Sequence, residues 1–198
     1  MKKVIPLLII SFCLSAIYCN AQGDPSVESD KVVKEIALSP FETVVAEGGG
    51  NFYFHYAPNT KVEIKGAGSC VEKTGVKISS NTLRISRKGG LSENCRIEIH
   101  IFTPLIKEIQ QNGGGRIVIN EGFAPVDVFK CSIDGGGKVK MTALTVDSLL
   151  ASIDGGGEIS AQVNKMIHGK IRGGGVIFYQ GDPTVESNIS GGGAIKRK

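Results

Sequence analysis

The chain has 198 residues, of which 41% are hydrophobic and 21% are charged, and its formal net charge at pH 7 is +4. These values predict one folded domain with at most a small appendage, and they exclude a wholly disordered chain. Such a small charge gives no reason to expect a nucleic-acid partner. Glycine is unusually frequent, at 27 residues, and most of it lies in six Gly-Gly-Gly triplets that begin at Gly48, Gly113, Gly135, Gly155, Gly173 and Gly191.

Residues 1–21 have the organisation of a secretory signal peptide. Two lysines precede an apolar stretch over residues 4–17, and cleavage is expected after Ala21. The apolar stretch is shorter than the ~20 residues that a transmembrane helix needs, and no second such stretch follows. The mature chain is therefore expected in the periplasm, at the cell surface or outside the cell. The alternative is a lipoprotein signal in which Cys19 carries the lipid.

After the signal peptide, the sequence predicts a flexible leader over residues 22–37 and one β-domain over residues 38–198. Alternating apolar and polar residues predict short strands in the first part of this domain, and Ser80-Asn81 predicts a turn between two of them. We expect these strands to form antiparallel hairpins that cap the start of a repeat, and we expect no helix of convincing length. The predicted strands cover residues 62–65, 76–79, 83–87 and 96–101.

An aromatic strand lies ahead of these hairpins. Phe52, Phe54 and Tyr56 alternate there with Tyr53 and His55, and successive side chains of a strand point to opposite faces. Tyr53 and His55 are therefore expected on the outer face, where their rings are candidate ligand contacts that could stack on a sugar. The alternative interpretation is that both are ordinary surface residues.

Three cysteines remain once the signal peptide is removed. An odd number allows at most one internal pair in an oxidising compartment. Cys70 and Cys95 flank the hairpin region and are predicted to form a disulfide. Cys131 aligns with Ala151 and Gly169 of later repeats and is expected to be a small buried thiol. The alternative is that all three are reduced and buried.

The main signal is a repeat over residues 104–197. Its triplets recur at intervals of 22, 20, 18 and 18 residues, and a repeat that cannot bury its apolar face alone must stack on its neighbours. β-branched residues in alternation predict strands on both sides of each glycine corner. The fold class predicted is all-β, a right-handed β-solenoid or closely related coiled sheet. The aliphatic columns are Ile133, Ile153, Ile171 and Ile189 before the corners, and Ile117, Val139, Ile159, Ile177 and Ile195 after them.

Asp134 and Asp154 precede the corners of neighbouring repeats, so their carboxylates are expected about one strand spacing apart. Such a pair suits Ca²⁺ or a shared proton. However, Arg172 follows in the same column and would neutralise one acid, and Asp before Gly ordinarily forms a turn. The pair is a weak metal candidate, and no catalytic or cofactor-binding residue is predicted. Each histidine is expected to be structural or on the surface, because metal-ligand spacing is absent among His55, His100 and His168.

The last predicted strand, Ala194-Ile195, is followed by Lys196, Arg197 and Lys198. An exposed solenoid edge invites strand addition by another chain, including a second copy. Basic residues at an edge discourage such pairing. The sequence therefore leaves two interpretations open, which are protection of the edge and homo-oligomerisation through it.

Three features together are typical of one known family. They are the start Phe41-x-x-Val44 before a glycine corner, the strand Ile97-x-Ile99-x-Ile101 with Pro104 and Leu105 after it, and serial corners followed by aliphatic strands. In these features residues 38–196 resemble the bacterial putative auto-transporter adhesin, head GIN domain family. The resemblance implies an extracytoplasmic, all-β, solenoid-like domain and brings no catalytic residues. Family members often carry Gly-Ser-Gly at corners where this chain has Gly-Gly-Gly.

These observations predict a non-enzymatic module with a structural, adhesion or interaction role at the bacterial cell envelope. Its expected partner is an envelope or surface component, either a glycan or a protein, and no nucleic acid, cofactor or membrane span is predicted. The alternatives are a glycan-binding protein and a glycan-active β-solenoid enzyme, a lyase or hydrolase. The enzyme would need acids and cations that converge in a groove, and the sequence offers only Asp134 with Asp154 as stacked acids.

Overall fold

The computed structural model describes residues 31–87 and 96–198, which form one curled sheet arranged as a β-solenoid. The predicted fold class is therefore confirmed. Within these ranges there is one short helix, α1, at Gly68–Glu72, which the sequence did not predict. The strands are β1 Lys31–Ala37, β2 Thr43–Glu47, β3 Asn51–Tyr56, β4 Lys61–Ala67, β5 Thr74–Ser79, β6 Thr82–Arg87, β7 Ile97–Thr103, β8 Glu108–Asn112, β9 Arg116–Ile119, β10 Val126–Gly135, β11 Lys138–Gly155, β12 Glu158–Gly173, β13 Val176–Gln180, β14 Thr184–Ser190 and β15 Ala194–Arg197.

Each turn of the solenoid places one strand before a glycine corner and one strand after it. The strands before the six corners lie side by side, with β6 added at one end, in the order β6, β2, β8, β10, β11, β12, β14, which we call the A row. The strands after the corners, with β4 and β7 added at one end, lie in the order β4, β7, β3, β9, β11, β12, β13, β15, which we call the B row. β11 and β12 contribute to both rows because each continues from one turn into the next. Apart from β4, the strands in both rows run parallel.

In-register pairing converts the aliphatic periodicity of the sequence into buried columns. In the A row, Ile133 pairs with Ile153 and Ile153 with Ile171, and each is at most 2% exposed. Both rows contribute to one hydrophobic cluster, so the core lies between them. Stacking of the turns thus buries the apolar face that one turn alone would expose. The buried B-row column consists of Ile117, Val139, Ile159 and Ile177.

The three glycines of a corner have different surroundings. Gly155 has a φ of +118°, and a Cβ there would lie 2.6 Å from the carbonyl oxygen of Gly135 in the preceding turn. A Cβ on Gly157 would lie 2.7 Å from Cγ2 of the buried Ile133. A Cβ on the middle residue, Gly156, would have no atom within 4 Å. In this corner the first and third positions therefore require glycine and the middle one does not.

The turns are not stacked in chain order. β2 pairs with β8 and β3 with β9, so the first glycine corner lies beside the second. The intervening chain extends the stack on the other side, where β6 and β7 run parallel to β2 and β3. The predicted antiparallel cap is confirmed for β5 with β6, whose turn has positive φ at Ser80 and Asn81, and for β4 with β7. The parallel pairing of β6 with β2 and of β7 with β3 was not predicted.

The predicted leader over residues 22–37 is wrong at its C-terminal end, because residues 31–37 form β1. This strand pairs antiparallel with β4 and packs Ile36 against the core. The predicted signal peptide, the Cys19 alternative and residues 22–30 lie outside the described residues. No helix in the described ranges has the length and apolar character needed to span a membrane.

Candidate ligand-binding surface

The outward side chains of the B row form columns across the sheet, because the strands pair in register. We call this surface the outer B face. One column crosses it from β7 to β15, and its members differ in chemistry from one end to the other. In spatial order they are His100, Tyr53, Val118, Lys140, Ser160, Phe178 and Lys196.

Four neighbouring rings with nearly parallel planes occupy the N-terminal end of the outer B face, and we call them the aromatic cluster: Tyr53, His55, His100 and Phe102. The ring centroids of Tyr53 and His100 lie 5.1 Å apart, those of His55 and His100 5.2 Å, and those of His55 and Phe102 4.8 Å, with interplanar angles of 19–22°. All four side chains are half-buried. The structure thus places Tyr53 and His55 on the outer face together, as expected.

His100 and Phe102 were missed as members of this cluster. Their alternation with buried isoleucines indicates that they point outward, but β7 follows β3 only after a long insertion. Nothing in the sequence indicates that these two strands pair. His55 and His100 meet although no metal-ligand spacing links them, because Tyr53 pairs with His100 and His55 with Phe102 across β3 and β7, which makes the two histidines diagonal neighbours.

A chain of hydrogen bonds links the two histidines to their surroundings. The side-chain amide of Asn120 lies 3.2 Å from His55 Nδ1, and His55 Nε2 lies 3.0 Å from His100 Nδ1. Because the amide of Asn120 can only donate through Nδ2, we assign the His55 proton to Nε2, which donates to His100. His100 Nε2 then faces Glu98 Oε2 at 3.8 Å. This arrangement requires both rings to be neutral.

The environment favours the neutral form of both histidines. Burial lowers the pKa of His55, and the neighbouring His100 lowers it further. Burial is also the main cause of the lowered pKa of His100, with Lys65 the next. Lys61 lies over the ring of Phe102, 4.9 Å from its centroid. The cluster therefore combines flat apolar faces with polar edges.

A groove lies on the same face beyond the aromatic cluster. In β11, Met141 pairs with Ala161 and Thr145 with Gln162, so residues 142–144 have no partner in β12 and form a bulge. Beside this bulge is a depression of about 420 Å³. A second depression of about 580 Å³ shares part of its lining with the first and extends to Asn120. The shared residues are Lys140, Thr142 and Gln180.

Asp134 and Asp154 pair directly across β10 and β11, as their column predicts. Arg172 pairs with Asp154 across the next strand, and its Nε donates to Asp154 Oδ2 at 3.0 Å. Within the described ranges, no three His, Cys, Asp or Glu side chains converge as a metal site would require. The Asp134–Asp154 metal site stays a prediction.

The cysteines divide as follows. Cys131 is a free, buried cysteine in the A row, and burial raises the pKa of its thiol to about 12. Cys70 is buried on α1. Its expected partner, Cys95, lies outside the described residues. The Cys70–Cys95 disulfide stays a prediction.

Comparisons with known proteins agree with this architecture. Residues 40–128 and 123–183 match the family model of the "Putative auto-transporter adhesin, head GIN domain". The chain is similar to the structure of a "putative adhesin" from Bacteroides fragilis NCTC 9343, with a TM-score of 0.58 and 22% identity over 85% of this chain and 97% of that one. It is also similar to a "putative lipid binding protein" from Parabacteroides distasonis ATCC 8503, with a TM-score of 0.53 and 16% identity over 86% and 98%. Both structures share the fold. Curated proteins give no match.

Proposed function

Because the chain belongs to the putative auto-transporter adhesin, head GIN domain family, we propose that it is a non-enzymatic adhesion module of the bacterial envelope that binds a glycan on its outer B face. The solenoid would act as a rigid support that holds outward side chains at fixed spacing. The predicted signal peptide and the family's adhesin description support a position outside the cytoplasm, in the periplasm or at the cell surface.

The aromatic cluster is the observation that carries this proposal. Its rings are flat, half-buried and held by neighbouring strands, so little side-chain entropy is lost when a ligand covers them. A sugar ring has an apolar face that suits an aromatic ring and hydroxyl groups that suit polar edges. Glu98 and Asn120 supply such edges beside His100 and His55. A glycan therefore fits this surface better than an apolar protein segment does.

The test is binding to a panel of bacterial surface polysaccharides. We expect Tyr53→Ala and Phe102→Ala each to weaken retention about tenfold, the size of a central contact worth about 1.4 kcal/mol. Tyr56→Ala is the matched control, because Tyr56 is 52% exposed and contacts Phe123 rather than the cluster. Equal effects of all three substitutions would contradict the proposal. Release of new reducing ends would instead support the lyase or hydrolase alternative.

Location has its own test. Protease treatment of intact cells should cleave the protein if the module is displayed at the cell surface. Protection from the protease, together with release by osmotic shock, would place it in the periplasm. Recovery with the cytoplasmic fraction would contradict the proposal.

A further inference from the structure

We propose that the groove beside the β11 bulge binds acidic groups of the ligand, so that the glycan recognised by this module is an anionic polysaccharide. This inference rests on the proposed function and adds a ligand class to it. The groove lies on the same face as the aromatic cluster and is lined by Arg116, Lys138, Lys140, Glu158 and Ser160, among others.

Three of the four cations in the groove have no acidic partner among the described residues. Lys138 forms an ion pair with Glu158 at 3.3 Å. Arg116 and Lys140 make no ion pair or hydrogen bond through their side chains with any residue in the described ranges, and Lys198 lies over the ring of Phe178, 4.8 Å from its centroid. Arg116 and Lys140 occupy adjacent columns on adjacent strands, since Arg116 pairs with Lys138 and Lys140 follows two residues later. The lining therefore has an excess of positive charge that an anionic ligand would neutralise.

A hydroxyl in the groove is also available to a ligand. Ser160 lines the first depression, and its side chain makes no hydrogen bond with any part of the chain that the structure describes. Its hydroxyl can therefore donate to or accept from a ligand without breaking an internal hydrogen bond. Ser160 pairs with Lys140 on one side and Phe178 on the other. A cation, a hydroxyl and a ring thus follow one another along the column.

The groove is continuous with the aromatic cluster. The second depression reaches Asn120, whose amide contacts His55. From β7 to β13 the outer B face spans five strand spacings, or about 24 Å. That length accommodates several sugar rings of one polymer. A small anion would use only the groove, whereas a polysaccharide would contact both the groove and the cluster.

The spacing of charge favours a sugar acid over a nucleic acid. Nucleic-acid binding draws most of its strength from many phosphate contacts. Here the few cations without an acidic partner lie among hydroxyl and amide groups, notably those of Ser160, Thr142 and Gln180. Such a lining matches a polymer that carries a carboxylate or sulfate on some rings and hydroxyls on all of them.

The experiment measures binding to polygalacturonate, dextran sulfate, neutral dextran and double-stranded DNA at two salt concentrations. We expect a carboxylated or sulfated polysaccharide to bind more tightly than dextran and DNA, and binding to weaken as salt rises. The Arg116→Gln/Lys140→Gln double variant should lose at least tenfold. Lys77→Gln, which removes an exposed cation from β5 at the far end of the sheet, should bind like the wild type.

Ser160→Ala provides a second variant. Because Ser160 makes no internal hydrogen bond, this substitution should leave thermal stability unchanged and weaken binding about two- to tenfold. Unchanged binding of the double variant, or DNA binding as tight as that of the acidic polysaccharides, would overturn the inference. If a neutral glycan bound through Tyr53 and Phe102 while the acidic probes did not, the inference would fail and the proposed function would stand. If no glycan bound at all, both would fail.

Discussion

Single alanine substitutions in one glycine corner should have opposite effects on stability. At Gly155 the φ of +118° is unfavourable for alanine, and the new Cβ would lie 2.6 Å from the Gly135 carbonyl oxygen. The backbone conformation costs about 1–2 kcal/mol, and the clash adds about 1–3 kcal/mol. At Gly156 the Cβ would meet nothing within 4 Å and φ lies outside the left-handed region. Alanine there should stabilise by about 0.4–1 kcal/mol, because it restricts the unfolded chain.

The assay is thermal unfolding followed by circular dichroism. For a domain of this size a change of 1 kcal/mol moves Tm by about 2–4 °C. Gly155→Ala should therefore lower Tm by about 4–20 °C, and Gly156→Ala should raise it by about 1–4 °C. Gly157→Ala should also lower Tm, because its Cβ would lie 2.7 Å from Ile133 Cγ2. If Gly155→Ala and Gly156→Ala shifted Tm equally, the assignment of different roles to the corner positions would be refuted.

Three further predictions concern the two histidines of the aromatic cluster, Gln111 and the cysteines. Burial lowers the pKa of His55 and of His100 below 6.5, so as pH falls these histidines take up protons in the unfolded chain before they do in the folded protein. Tm should therefore decrease from about pH 6.5 downward. An equal decrease in the His55→Gln/His100→Gln variant would contradict this. Gln111→Ile should raise the free energy of unfolding by about 1 kcal/mol, because Gln111 Oε1 is buried without a hydrogen bond in a column otherwise rich in isoleucine. Chemical denaturation measures this change, and a loss of stability would refute the prediction. Non-reducing peptide mapping should link Cys70 to Cys95, and alkylation of Cys70 without reductant would exclude the pair.

The local features of this protein were predictable because they depend on short sequence intervals. Glycine triplets with isoleucine two positions away identified the corners and the buried columns. The same periodicity placed Asp134, Asp154 and Arg172 in one column, as the strand register confirms. Ser80-Asn81 identified a turn because both residues tolerate positive φ.

The features that the sequence did not reveal depend on distant pairings. The aromatic cluster joins β3 to β7, and the parallel addition of β6 and β7 beside β2 and β3 follows a long excursion of the chain. The groove depends on the β11 bulge. In the sequence this bulge appears only as an interval of 20 residues between Gly135 and Gly155, against 18 in the next two repeats. Residues 31–37 looked like a leader because they carry charged residues such as Lys34 and Glu35, whereas their backbone pairs with β4.

The stacking order also has a consequence for the folding pathway. Neighbouring turns at the C-terminal end join residues that are only 18 positions apart, such as Asp154 and Arg172. In contrast, Lys107 reaches Glu42 across 65 positions to place β8 beside β2. Closing the longer loop costs more chain entropy and is slower. We therefore expect the C-terminal turns to assemble first and β2 and β3 to dock late, so a chain that emerges N-terminus first has to keep these hydrophobic strands unpaired until the rest has followed.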